Sequence, residues 1–142
     1  MFVSASFYPS QEAWQREVAA GERYLLLVGE HTPFCVETLP EECTCVGAIF
    51  PYVVAQNAYH SEGILAVILS KETRITLVPS MAQAYFDPKD EGFSGMLFVL
   101  VDGLSAHIVA FLEALFEVTA PTASILGGGS GKLTLMQEPL LF

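Results

Sequence analysis

The stretch that most constrains the fold runs from Gly95 to Gly131: an apolar run, a turn pair, an amphipathic segment, a second apolar run and a cluster of glycines. Met96-Leu97-Phe98-Val99-Leu100-Val101 is an unbroken set of strand-favouring residues, too uniform for a half-exposed strand. It predicts a central strand covered on both faces. Asp102-Gly103 stops it, because glycine permits a positive φ and aspartate can bond its own backbone two residues on. Ser105 offers an oxygen suited to a helix N-cap, and Leu104, Ile108, Phe111, Leu112 and Leu115 fall on one helical stripe. Ala106, Ala110, Glu113 and Glu117 lie away from that stripe. Pro121 closes the helical region, Ala123-Ser124-Ile125-Leu126 reads as a second strand, and Gly127-Gly128-Gly129-Ser130-Gly131 reads as a turn. Strand, crossover helix and strand make a right-handed parallel unit whose two turns, at Asp102-Gly103 and at the glycines, share one rim.

The remaining segments extend this into an α/β fold with a mixed, largely buried sheet. Ser4 to Pro9 is extended, and Ser10 caps a helix reaching Ala20, ended by Gly21, with Trp14 and Val18 as its buried pair. Tyr24 to Val28 is a short buried strand closed by Gly29. Residues His31 to Glu42 form a loop with one helical turn. Thr44 to Phe50 is β-prone, bent or closed by Pro51 and continued by Tyr52-Val53-Val54, before a polar turn from Ala55 to Glu62. Gly63 to Leu69 and Thr73 to Val78 read as a hairpin across Ser70-Lys71-Glu72. Pro79 to Gly92 predicts a weak helix and an exposed loop, and Lys132 to Met136 the start of a strand. An ending of Leu140-Leu141-Phe142 implies a chain cut short or a last strand held in a sheet.

Composition limits the function classes. With 142 residues and no break in composition, the chain reads as one domain, residues 1–142. Apolar residues make up 52% and charged ones 15%, so either both sheet faces are covered or apolar surface meets a partner, a second copy included. A membrane span needs about twenty apolar residues, and the longest uncharged stretch, Thr44 to Ser61, is broken by Pro51, Gln56, Asn57 and His60. Sixteen acids against six bases give a net charge of −10, which repels nucleic acid and anionic lipid alike. Three cysteines without a framework pattern and an N-terminus without a basic lead point to a cytoplasmic protein.

No pattern of residues defines a catalytic centre. The P-loop pattern aligned on Gly131-Lys132 would need glycine at Leu126 and a hydroxyl at Leu133, so the glycines read as a close backbone approach to a neighbour or a small ligand. His31, Cys35, Cys43 and Cys45 are soft ligand types, yet their spacing matches no zinc motif. Cys43 and Cys45, two apart, point to one face and read as buried free thiols. His60 and His107 are the candidate ligands should haem bind. Ser105, His107 and Asp102 supply triad residue types at positions that do not converge. Asp102, at the carboxyl end of a strand, is the best single candidate for a polar ligand contact, with a plain turn aspartate as the alternative.

The strand-Asp102-Gly103-Leu104-helix-Pro121-strand-Gly127-Gly128 order, preceded by Val46-Gly47-Ala48-Ile49-Phe50-Pro51 and Gly63-Ile64-Leu65-Ala66-Val67-Ile68-Leu69, resembles the N-terminal part of FIST domains. The resemblance implies a non-enzymatic intracellular sensory domain that recognises small molecules, amino acids among them, and passes a signal to a downstream protein or domain. It implies no obligatory cofactor, with a haem-based nitric oxide sensor as the alternative; the apolar composition gives a protein interaction module as a further one. The ligand-facing positions it implies are Asp102, Gly103, Gly127, Gly128, Gly129, Gly47, Phe50 and Pro51. Where many members carry a G-C-S-T-A-G-E-like string, this chain has Gly47-Ala48-Ile49-Phe50-Pro51-Tyr52, and the C-terminal FIST half is expected to lie outside these residues.

Overall fold

The computed structural model describes residues 1–82, 86, 92–136 and 139–142. Their order is β1 (Phe2–Tyr8), α1 (Gln11–Gln15), β2 (Arg23–Gly29), a 3-10 turn (Val36–Thr38), β3 (Thr44–Phe50), β4 (Val53–Ala55), β5 (Ala58–His60), β6 (Ile64–Leu69), β7 (Met96–Asp102), α2 (Ile108–Val118) and β8 (Ser124–Ser130). These group into two units, Met1–Thr73 with Ser130–Phe142, and Arg74–Gly129. Part of the helix and loop expected over Pro79 to Gly92 falls outside the described residues.

The first unit is built on a mixed sheet of order β1-β6-β2-β3. β6 runs antiparallel to both β1 and β2, while β2 and β3 are parallel. Side chains alternate across a strand, so Tyr24, Leu26 and Val28 of β2 and Ile64 and Ala66 of β6 share a face, and they enclose Trp14 of α1 in one core. Ser10 is the N-cap as its sequence position implies, its Oγ accepting from Ala13 N at 3.2 Å. The helix it starts is shorter than expected. It ends at Arg16, and Gly21 turns the chain with φ +78° while its N–H donates to Glu42 O at 2.8 Å. Gln11, buried beside Trp14, ties the 3-10 loop down. Its Nε2 donates to Cys35 O and Thr38 Oγ1, and its Oε1 accepts from Cys35 N.

Two expected strands do not form. Thr73 to Val78 is not strand, because β6 already has β1 on one edge and β2 on the other and leaves no edge for a hairpin partner. Lys132 to Met136 is a turn instead. Leu135 sits at φ +53° with its N–H on Lys132 O, and the Glu30 carboxylate accepts from Leu133 N at 2.7 Å. The apolar ending is no strand but is tied to β3 by an isolated antiparallel bridge, Ala48 to Leu141: Gly47 and Phe142 exchange backbone hydrogen bonds at 2.8 and 3.1 Å, and Ile49 N donates to Leu140 O. The segment after Pro51 is a hairpin of β4 and β5 across Gln56-Asn57, both at positive φ, the turn geometry that fits twisted strands.

In the second unit β7 and β8 form a two-stranded sheet linked by α2. Their pairing is parallel: Ser124 N donates to Gly95 O, Gly127 lies against Val99, and Gly129 lies against Gly103, so partners advance together. Val101 of β7 packs on Phe111 and Leu115 of α2, with Leu97, Val99, Leu112 and Ile125 around them. The expected crossover unit is therefore present, with three corrections. Among the described residues β7 is paired in its sheet with β8 and is mostly half-buried, not a doubly covered central strand. The helix starts at Ile108 with no side-chain cap, Ser105 Oγ accepting His107 N in the turn before it. The glycines form the end of β8 rather than a turn, because the absence of side chains is what lets this backbone lie so close to β7.

Candidate functional site

The second unit carries an open groove of about 860 Å³ along the flank of α2 and β8. Ile108, Leu112 and Phe116 recur every four residues and so stand in file on one side of the helix, beside the core pair Phe111 and Leu115. Pro121 and Leu126, together with Gly103, Gly127, Gly128 and Gly129, are also part of its lining. Among the described residues none of the lining is charged.

The glycine lining follows from packing. A Cβ on Gly127, whose φ is +154°, would overlap the Val99 carbonyl oxygen, and one on Gly129 would lie 2.7 Å from Gly103 Cα. Side chains at either position would force β8 away from β7. Gly128 differs, since a Cβ there meets nothing within 4 Å and would project into open space. A side chain at Gly128 would leave the strand pair undisturbed.

Asp102 and Gly103 therefore meet the triple glycine at one rim. The Asp102 carboxylate fixes its own turn, Oδ1 accepting from Leu104 N at 3.0 Å while its carbonyl accepts from Ser105 N at 3.2 Å. That is the turn-forming use of aspartate. Gly47, Phe50 and Pro51 belong to the first unit. There Gly47 is covered: a Cβ on it would run into the Leu26 carbonyl and lie 2.8 Å from the Phe142 ring. The sequence placed Ile108 and Leu112 in the helical core stripe and missed Phe116, Thr119 and Leu126 as groove residues. The available signal was the spacing Ile108, Leu112, Phe116, a second file next to the core file.

Among the described residues no three His, Cys, Asp or Glu side chains gather as a metal site. Cys43 and Cys45 do share a face, with sulfurs 3.4 Å apart, while Cys35 is exposed and donates to Glu37 Oε2. His60 Nε2 lies 3.2 Å from Ala55 O and its ring packs on Phe7 at a centroid distance of 4.3 Å, contacts that axial ligation would break. His107 is exposed at the start of α2 and is not part of the groove lining.

The FIST N domain model matches residues 9–142, and the chain belongs to that family, one of sensory and signal-transduction domains. Comparison with curated proteins and with solved structures finds no match. No helix among the described residues is long and apolar enough to cross a membrane.

Proposed function

We propose that this chain is a cytoplasmic small-ligand sensory domain whose ligand sits between α2 and the Gly127–Gly129 stretch, and whose occupancy is passed to a downstream signalling protein or domain. The observation that carries this is the groove itself, lined by glycines and by Ile108, Leu112 and Phe116. Apolar surface removed from water contributes about 25 cal/mol per Å². With no charged side chain among the described residues of the lining, a free zwitterion would lose hydration without gaining a counter-charge. Amino acids with apolar side chains fit as a class, and their uncharged derivatives fit better.

Thermal melts with L-leucine, L-phenylalanine and their N-acetyl amides test this. A ligand at a hundred times its Kd stabilises by about 2.7 kcal/mol, and the neutral amides are expected to stabilise more than the free amino acids. Gly128→Val should melt normally and lose the shift. No stabilisation by any of the four, or shifts unchanged in Gly128→Val, overturns the proposal.

A further inference from the structure

We propose that Cys43 and Cys45 form a two-thiol site for trivalent arsenic compounds. Cys43 stands at the bend just before β3 and Cys45 is the second residue of that strand, and their side chains face each other across Thr44. Both thiols are free and half-buried against the Trp14 core, with sulfurs 3.4 Å apart and Cys43 Sγ 3.5 Å from Pro40 O. Cys35 is exposed and its thiol donates to Glu37 Oε2 instead.

The spacing discriminates between thiol chemistries. A disulfide needs sulfurs about 2.05 Å apart, well inside the 3.4 Å that separates these two. Tetrahedral zinc needs four donors, and no third ligand-type side chain joins the pair among the described residues. A single atom bonded to both sulfurs at about 2.3 Å with a near right angle between the bonds spans roughly 3.3 Å. Pyramidal trivalent arsenic has that shape, so the pair can take it without moving the backbone.

The reaction balances without an oxidant. With an organoarsenic(III) oxide, two S–H bonds and the arsenic–oxygen bonds break, two arsenic–sulfur bonds form, and the oxygen leaves as water carrying both thiol protons. Burial and the Cys43 neighbour hold the Cys45 thiol protonated, its pKa pushed up to about 12, and the departing oxygen accepts that proton directly.

The native chain is treated with one equivalent of phenylarsine oxide, dialysed and then alkylated with iodoacetamide, with intact and peptide masses recorded. Two of the three thiols, Cys43 and Cys45, should resist alkylation and carry one phenylarsenic group between them, while Cys35 alkylates. Cys35→Ser should keep the adduct, and Cys43→Ser and Cys45→Ser should each lose it while giving the native circular-dichroism spectrum. Alkylation of all three thiols in the native chain, an adduct surviving Cys43→Ser, or loss of two thiols without added arsenic overturns the proposal.

Discussion

Substituting Gly127 and Gly128 separately tests the β7–β8 pairing with two changes of identical composition. At Gly127, φ +154° is a conformation open essentially to glycine, and occupying it with alanine costs about 1–3 kcal/mol. The added Cβ also overlaps the Val99 carbonyl, an overpacking that costs a further 1–3 kcal/mol or so. Gly127→Ala should therefore destabilise by about 2–6 kcal/mol, a large share of the roughly 5–15 kcal/mol that holds a domain folded. Gly128→Ala meets nothing within 4 Å and should change stability by no more than about 0.5 kcal/mol. Urea unfolding followed by circular dichroism gives both values, and the thermal midpoints should differ by roughly 4 °C or more. Hydrogen exchange at Phe111 and Leu115 should accelerate in Gly127→Ala alone, since both residues pack on Val101 of β7. Equal stability of the two variants would refute the parallel pairing that brings Gly127 onto Val99.

Ser10→Ala should cost about 0.5–2 kcal/mol by releasing Ala13 N–H, and Ser10→Asp should restore most of it, as urea midpoints would report. Gly47→Ala should cost about 1–3 kcal/mol through the Leu26 carbonyl and the Phe142 ring, and should raise the exchange rates of Gly47 and Ile49 amides, which bond the Leu140–Phe142 end. Cys45 sets an alkaline dependence. Burial first, then Cys43, raises its folded pKa to about 12, so the unfolded thiol ionises first. The resulting stability is fully present below the ordinary thiol value of about 8.5 and is lost as pH rises through the folded value. Cys45→Ala should flatten the fall in urea midpoint between about pH 8 and pH 10.5, and an unchanged slope would contradict the burial.

Legibility in the sequence followed whether a residue's role is local. Ser10 as a cap, the turn at Asp102-Gly103, the buried run Tyr24 to Val28 and the crossover from β7 to β8 are set by near neighbours in sequence. Thr73 to Val78 has a strand pattern, but whether a strand forms depends on a free sheet edge, and β1 occupies the one it would have used. The glycines were ambiguous for a related reason. Flexibility in sequence suggests a turn, while the fold uses the missing side chains for a close approach to Val99 and Gly103. Phe116 was hidden because a helix file next to the core file reads as surface until β8 supplies the rest of the lining.

The groove as a ligand site is tested most directly by an amide and methyl shift map of the isotope-labelled chain titrated with N-acetyl-L-leucinamide. Saturable shifts should concentrate at Gly127, Gly128 and Gly129 and at the methyls of Ile108 and Leu112, and Gly128→Val should remove them. Shifts confined to residues 1–73, or shifts that persist in Gly128→Val, would contradict it.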